Sequence, residues 1–147
     1  MSGNEMKVSG KGLAVIKHFE GLRLTAYLCP AGVLTIGYGH TGKDVLQGMK
    51  ISVDRAIELL LADVAGFERS VAAMVSVPLT QGMFDALVSF AFNLGAGKLK
   101  GSTLLRRLND GDKDLAADEF LKWDKANGKP LAGLTERRKD ERELFLS

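Results

Sequence analysis

The sequence predicts an α+β chain of two lobes, with a small antiparallel sheet near the N-terminus and a mostly helical C-terminal lobe joined to it by a long helix. Three observations predict this. Residues 23–28 alternate with a period of two and lead through a turn into a second such run. An apolar stripe at spacings of three and four runs from Ser52 almost to Pro78. Beyond it, every periodic segment is helical. At 147 residues, 46% hydrophobic and 26% charged, the chain is long enough for one domain with a real core.

The first helix is expected to start at Ser9, a good N-cap, and carries Leu13, Ile16 and Glu20 at helical spacing. Glu20 thus ends the helix on its apolar stripe, and Gly21 follows where a left-handed C-cap glycine belongs. Burial on such a stripe raises a carboxyl pKa, which suits a general acid.

The hairpin comes next. Leu24, Ala26 and Leu28 alternate with Arg23, Thr25 and Tyr27, as in a half-buried strand. Cys29-Pro30-Ala31-Gly32 reads as a β-turn, with Pro second and Gly fourth. Val33–Ile36 returns as a second strand carrying Thr35, and Gly37-Tyr38-Gly39-His40 is a glycine-rich run marking a bend or a close backbone approach.

Glu20, Cys29 and Thr35 follow the pattern Glu, eight residues, Asp or Cys, five residues, Thr, flanked by EGLRL and TIG-x-GH. This window closely resembles the phage T4-type lysozymes, endolysins of glycoside hydrolase family 24 that cut bacterial peptidoglycan. The resemblance implies a lysozyme-like fold over 1–147, with a catalytic hairpin lobe at about 1–60, a helical lobe at 61–147 and a cleft between them. It also implies that Glu20 is the catalytic acid, that Cys29 stands where the family usually has Asp, and that Thr35 places water or substrate.

Residues 41–51 are a loop or an irregular last strand. Ser52 is expected to cap the long helix, with Ile57, Leu60, Leu61, Val64, Phe67, Val71 and Met74 on its stripe. Gly66 weakens it by roughly 1 kcal/mol relative to Ala. Thr80 caps the next helix, apolar on most sides and central to the second lobe. Phe92 and Asn93, near its end, match family positions beside the sugar-binding site; the alternative is a core Phe and a C-cap Asn. Ser102 caps a short helix that stops at Asp110-Gly111, a further helix spans about Asp112–Lys125, Asn127–Pro130 is a turn, and the last helix begins near Leu134. No strand is expected after residue 52. Arg137 and Arg138 read as a solvated helix face, with contact to acidic wall groups as the alternative.

Cys29 has three readings: a small buried hydrophobe, a base in place of the family carboxylate, or a thiolate nucleophile on the anomeric carbon. Its turn position favours reactivity. The nucleophile and water-positioning roles are not separable from sequence. His40 reads as structural and His18 as exposed. Two histidines and one cysteine at these spacings do not make a usual zinc site, and no cofactor is expected.

A formal net charge of +2 is too weak to argue for nucleic acid, yet suits an anionic polymer such as a cell wall. A lone cysteine excludes an internal disulfide framework and fits a reducing cytosol. The polar N-terminus shows no signal peptide, and no run of about 18 apolar residues occurs. The resemblance therefore implies a monomer that accumulates in the host cytoplasm, reaches the periplasm through a holin-made hole without inserting in the membrane, and acts on peptidoglycan glycan strands. The competing readings are a lytic transglycosylase on a similar fold, using Glu20 as acid then base, and a non-catalytic wall-binding module.

Overall fold

The computed structural model describes residues 6–147; the start of the polar N-terminus lies outside the described residues. The chain divides into two compact units. One is Lys17–Gly66; the other joins the residues up to Ile16 with Phe67–Ser147.

In the Lys17–Gly66 unit, α1 (Gly10–Glu20) ends and leads into β1 (Arg23–Leu28), β2 (Leu34–Gly37) and β3 (His40–Thr41), an antiparallel sheet of order β1-β2-β3. Tyr27 pairs with Thr35, and Thr35 in turn with Thr41. The turn forms as read: the Gly32 amide donates to the Cys29 carbonyl at 2.8 Å. The outer edge of β1 is covered by residues 49–51, through Ala26 N–H to Met49 O at 2.8 Å and Ile51 N–H to Leu24 O at 2.9 Å. The start of α2 (Val53–Met74), capped by the Ser52 hydroxyl on the Arg55 amide, supplies Leu59 to a core with Ile36 and Val45.

The alternation in β1 does not give the expected buried face. Leu24 is 38% exposed and Leu28 65%. The β1–β2 register shifts between Arg23 and Tyr27, and such an irregularity swaps which residues face inward. Leu61, placed on the α2 stripe from sequence, is also exposed.

In the other unit, α3 (Gln81–Leu94) is the centre. Every residue from Met83 to Ala91 is buried, and the Thr80 hydroxyl caps the Met83 amide at 3.1 Å. Around it lie α4 (Ala96–Lys100), α5 (Thr103–Asn109), α6 (Lys113–Glu119) with a 3-10 turn at Phe120–Lys122, and α7 (Ala132–Leu146). Phe90, Phe120 and Phe145 form a chain of ring contacts, with centroids 5.6 and 5.3 Å apart. The segment entering α1 is tied to this core by buried carboxylates: Glu68 accepts from Val8 N–H at 2.7 Å, and Asp85 from the Ser9 N–H at 2.9 Å and the Ser9 hydroxyl.

Two features depart from expectation. The expected helix to Lys125 stops at Glu119, and Lys125–Ala126 (β4) pairs antiparallel with Lys129–Pro130 (β5). Asn127 and Gly128 both have positive φ, 52° and 79°, the two-residue turn that Asn-Gly favours. And Arg137 and Arg138 are 3% and 0% exposed, not on a solvated face.

Candidate active site

The last turn of α1 presents Glu20, half-buried. Gly21 has φ 72° and donates to Lys17 O at 3.0 Å, so the chain turns off sharply after the carboxylate. Gly39 has φ 74°, and a Cβ built there would lie 2.6 Å from Glu20 Oε1. The carboxyl group therefore rests against the bare backbone of the glycine-rich run, where any side chain would have to displace it.

Cys29 starts the β-turn and is half-buried. The backbone N–H of Val33, then that of Ala31, hold its thiol below the ordinary cysteine value, against a smaller opposing effect of burial; the Thr35 hydroxyl and the Gly32 N–H add to the lowering. Thr35 is buried on β2, and its hydroxyl donates to Val33 O at 2.9 Å. The Cys29 amide donates to the same carbonyl at 3.0 Å. Val33 thus ties the two candidate side chains into one small frame set by the turn.

His40 sits between two carboxylates. Nδ1 is 2.7 Å from Asp63 Oδ2, and Nε2 is 3.0 Å from Asp44 Oδ2. Partial burial works against the imidazolium, but hydrogen bonds to Asp63 and then Asp44 outweigh it and raise the pKa. Asp44, hydrogen-bonded to His40, is lowered in turn. The two carboxylates address opposite ring nitrogens, and among the described residues no group of three or more His, Cys, Asp or Glu is placed to hold a metal ion.

Phe92 and Asn93 belong to the other unit. Phe92 packs on Phe67 with centroids 5.5 Å apart. Asn93 lies inside α3 rather than at its C-cap, which Gly95 fills with φ 100°. Its Oδ1 accepts from Arg138 Nη2 at 2.8 Å.

Sequence reasoning thus placed Glu20, Cys29 and Thr35 in one unit, and Phe92 and Asn93 in the other. It did not find Asp44 and Asp63 beside His40, or Arg138 behind Asn93. The i,i+4 spacing of His40 and Asp44 was a legible signal; the others are long-range.

The family described as Phage lysozyme matches residues 17–141. The chain is 50% identical over 144 residues to the endolysin of Bacillus phage B103, covering 97% of this chain and 55% of that protein. It is 45% identical over 146 residues to the endolysin of Salmonella phage P22, covering 97% and 99%. It therefore spans about half the length of the first relative and nearly all of the second. Bacteriophage PS119 supplies a 39% identical relative named SAR-endolysin, of which the match covers 76%. Among solved structures, an endolysin from Escherichia coli O157:H7 phage FAHEc1 superposes with a TM-score of 0.89 at 42% identity, covering 97% of this chain and 95% of that one. A family match over most of the chain, with the fold and the hairpin in place, makes the conclusion direct: this chain belongs to the phage lysozyme family.

Proposed function

We propose that the chain is an endolysin-type muramidase, a glycoside hydrolase that cuts the β-1,4 bond between N-acetylmuramic acid and N-acetylglucosamine in bacterial peptidoglycan to lyse the host. The observation that carries this reading is the seating of the Glu20 carboxyl on Gly39, in the same unit as the turn that lowers the Cys29 thiol. Glu20 protonates the glycosidic oxygen, so the leaving sugar departs as a neutral alcohol. The Cys29 thiolate either attacks the anomeric carbon or takes the proton of a water that does; Thr35 orients that water or a sugar hydroxyl. Phe92 and Asn93 bind the glycan. Residues 1–147 act as one lysozyme-like domain and as a monomer, with no cofactor and no nucleic-acid partner.

Access to the wall is proposed to follow holin-dependent release from the host cytoplasm into the periplasm. Among the described residues no helix is long and apolar enough to cross a membrane. The SAR-endolysin names of some relatives point to a second route. Expression with and without a holin separates them: lysis without a holin removes the holin from the scheme.

The test of the chemistry is clearing of outer-membrane-permeabilised Gram-negative cells by the parent, by Cys29-alkylated protein, and by Cys29→Asp, Cys29→Ala and Glu20→Gln. Loss on alkylation and in Cys29→Ala, with activity kept in Cys29→Asp, supports the hydrolase. The pH midpoint of alkylation is expected below that of a free thiol. Full clearing by Cys29→Ala, with 1,6-anhydro products, supports the transglycosylase instead. No clearing by the parent at any pH leaves a wall-binding module.

A further inference from the structure

Arg138 is fully buried; both Nη atoms are hydrogen-bonded, while Nε and Glu141 Oε1 face each other as an ion pair without hydrogen-bond geometry. Nε faces Glu141 Oε1 at 2.8 Å, Nη2 donates to Glu141 Oε2 at 3.2 Å and Nη1 to Trp123 O at 3.4 Å, and the group lies 5.1 Å from the Phe90 ring centroid. Nη2 also donates to Asn93 Oδ1 at 2.8 Å. A guanidinium has donors only, so the amide end facing it must be oxygen. The flip of Asn93 is thus chemically determined. Its Nδ2 has no protein acceptor among the described residues and is not among the buried unpartnered atoms. The consequence is a side chain held at its oxygen, on a half-buried residue, with its N–H donors not taken up by an acceptor among the described residues.

We infer that Arg138 is a positioning residue for glycan binding, holding Asn93 so that Nδ2 donates to an amide carbonyl of the substrate. This inference rests on the reading of Asn93 as a glycan contact. An amide carbonyl is an acceptor with no charge, and peptidoglycan offers two sources of it: the N-acetyl groups and the stem peptide. Random orientation of the amide would offer the substrate carbonyl another oxygen half the time, which repels it.

Asn93→Asp separates this from a structural role. The carboxylate is isosteric and keeps, or strengthens, the bond to Arg138. The fold is therefore retained while both donors are lost. The measurement is KM and kcat on soluble uncross-linked glycan strands, with stem peptides and after amidase removal of them. Asn93→Asp is expected to melt no lower than the parent and to raise KM about five- to tenfold, with kcat within about twofold. A rise on both substrates assigns the N-acetyl carbonyl, and a rise on the peptide-bearing strands alone assigns the stem peptide. Unchanged KM on both overturns the inference. Arg138→Lys is expected to raise KM about threefold and to add nothing to Asn93→Asp when combined with it. A change in melting temperature alone, or effects that multiply, makes Arg138 merely structural. A parent that cleaves neither substrate sinks the enzymatic reading and this inference with it; a cleaving parent with unmoved KM sinks only this one.

Discussion

Glu20 Oε1 lies 2.6 Å from the point where a side chain at Gly39 would begin. Gly39→Ala therefore does two things. It places an L-residue at φ 74°, costing about 1–2 kcal/mol, and it pushes the carboxyl group aside. Misplacement of a reacting group by about 1 Å can cost about 100-fold. Clearing by Gly39→Ala is expected to fall by about that factor. Gly21→Ala is the control: its φ is 72°, but nothing lies within 4 Å of its built Cβ. It should lose similar stability in a thermal melt and keep most activity. Equal activity loss in the two variants would mean that backbone strain, not the seat of Glu20, is what matters.

The His40 pairs give a second prediction, on stability against pH. The folded pKa of His40 is raised, so its contribution is complete below the ordinary imidazole value of 6.5 and fades as pH rises through the raised one. Asp44 is lowered, so its contribution is complete above the ordinary 3.8 and fades as pH falls through the depressed one. The gap between parent and His40→Gln is thus widest between those two values. It is expected to narrow on both sides of that window. Urea unfolding at several pH values measures it. A gap that grows above pH 8 would contradict the charged-His40 account.

What sequence could and could not show divides along range of interaction. Ser9, Ser52, Thr80 and Ser102 all act as caps where they were expected, because a cap is decided within three residues. The Cys29–Gly32 turn and the lysozyme family pattern are local in the same way. The β4–β5 hairpin was legible too: Asn127-Gly128 is a strong hairpin signal, masked by lysines where apolar alternation is usual. The α4 helix was hidden by Gly95, Gly97 and Gly101 around only five residues. Arg137 and Arg138 were misread for a different reason. Charged residues on a helix are usually solvated, and only the packing of α7 on α3 reveals that Ser89 and Asn93 receive them. The candidate residues Phe92 and Asn93 came from family likeness alone; nothing in their spacing marked them.

That buried cluster carries the last prediction. Glu141 is 0% exposed and accepts from Arg137 Nε at 3.2 Å, Arg138 Nη2 at 3.2 Å and the Ser89 hydroxyl at 2.5 Å. Burial pushes Glu141 up and Arg138 down in pKa, towards their neutral forms; the ion pairs oppose this. Removing the carboxylate in Glu141→Ala leaves the buried Arg138 guanidinium without its ion-pair partner, at a cost of about 3–5 kcal/mol. Domains of this size are stable by only about 5–15 kcal/mol, so the urea midpoint should fall by a third or more with little change in slope. Replacing Arg137, Arg138 and Glu141 together by apolar residues of similar volume should cost less, because the guanidiniums and the carboxylate of this cluster are removed together. If the triple variant is instead as unstable as Glu141→Ala, the network holds α7 on α3 by geometry that apolar packing cannot replace.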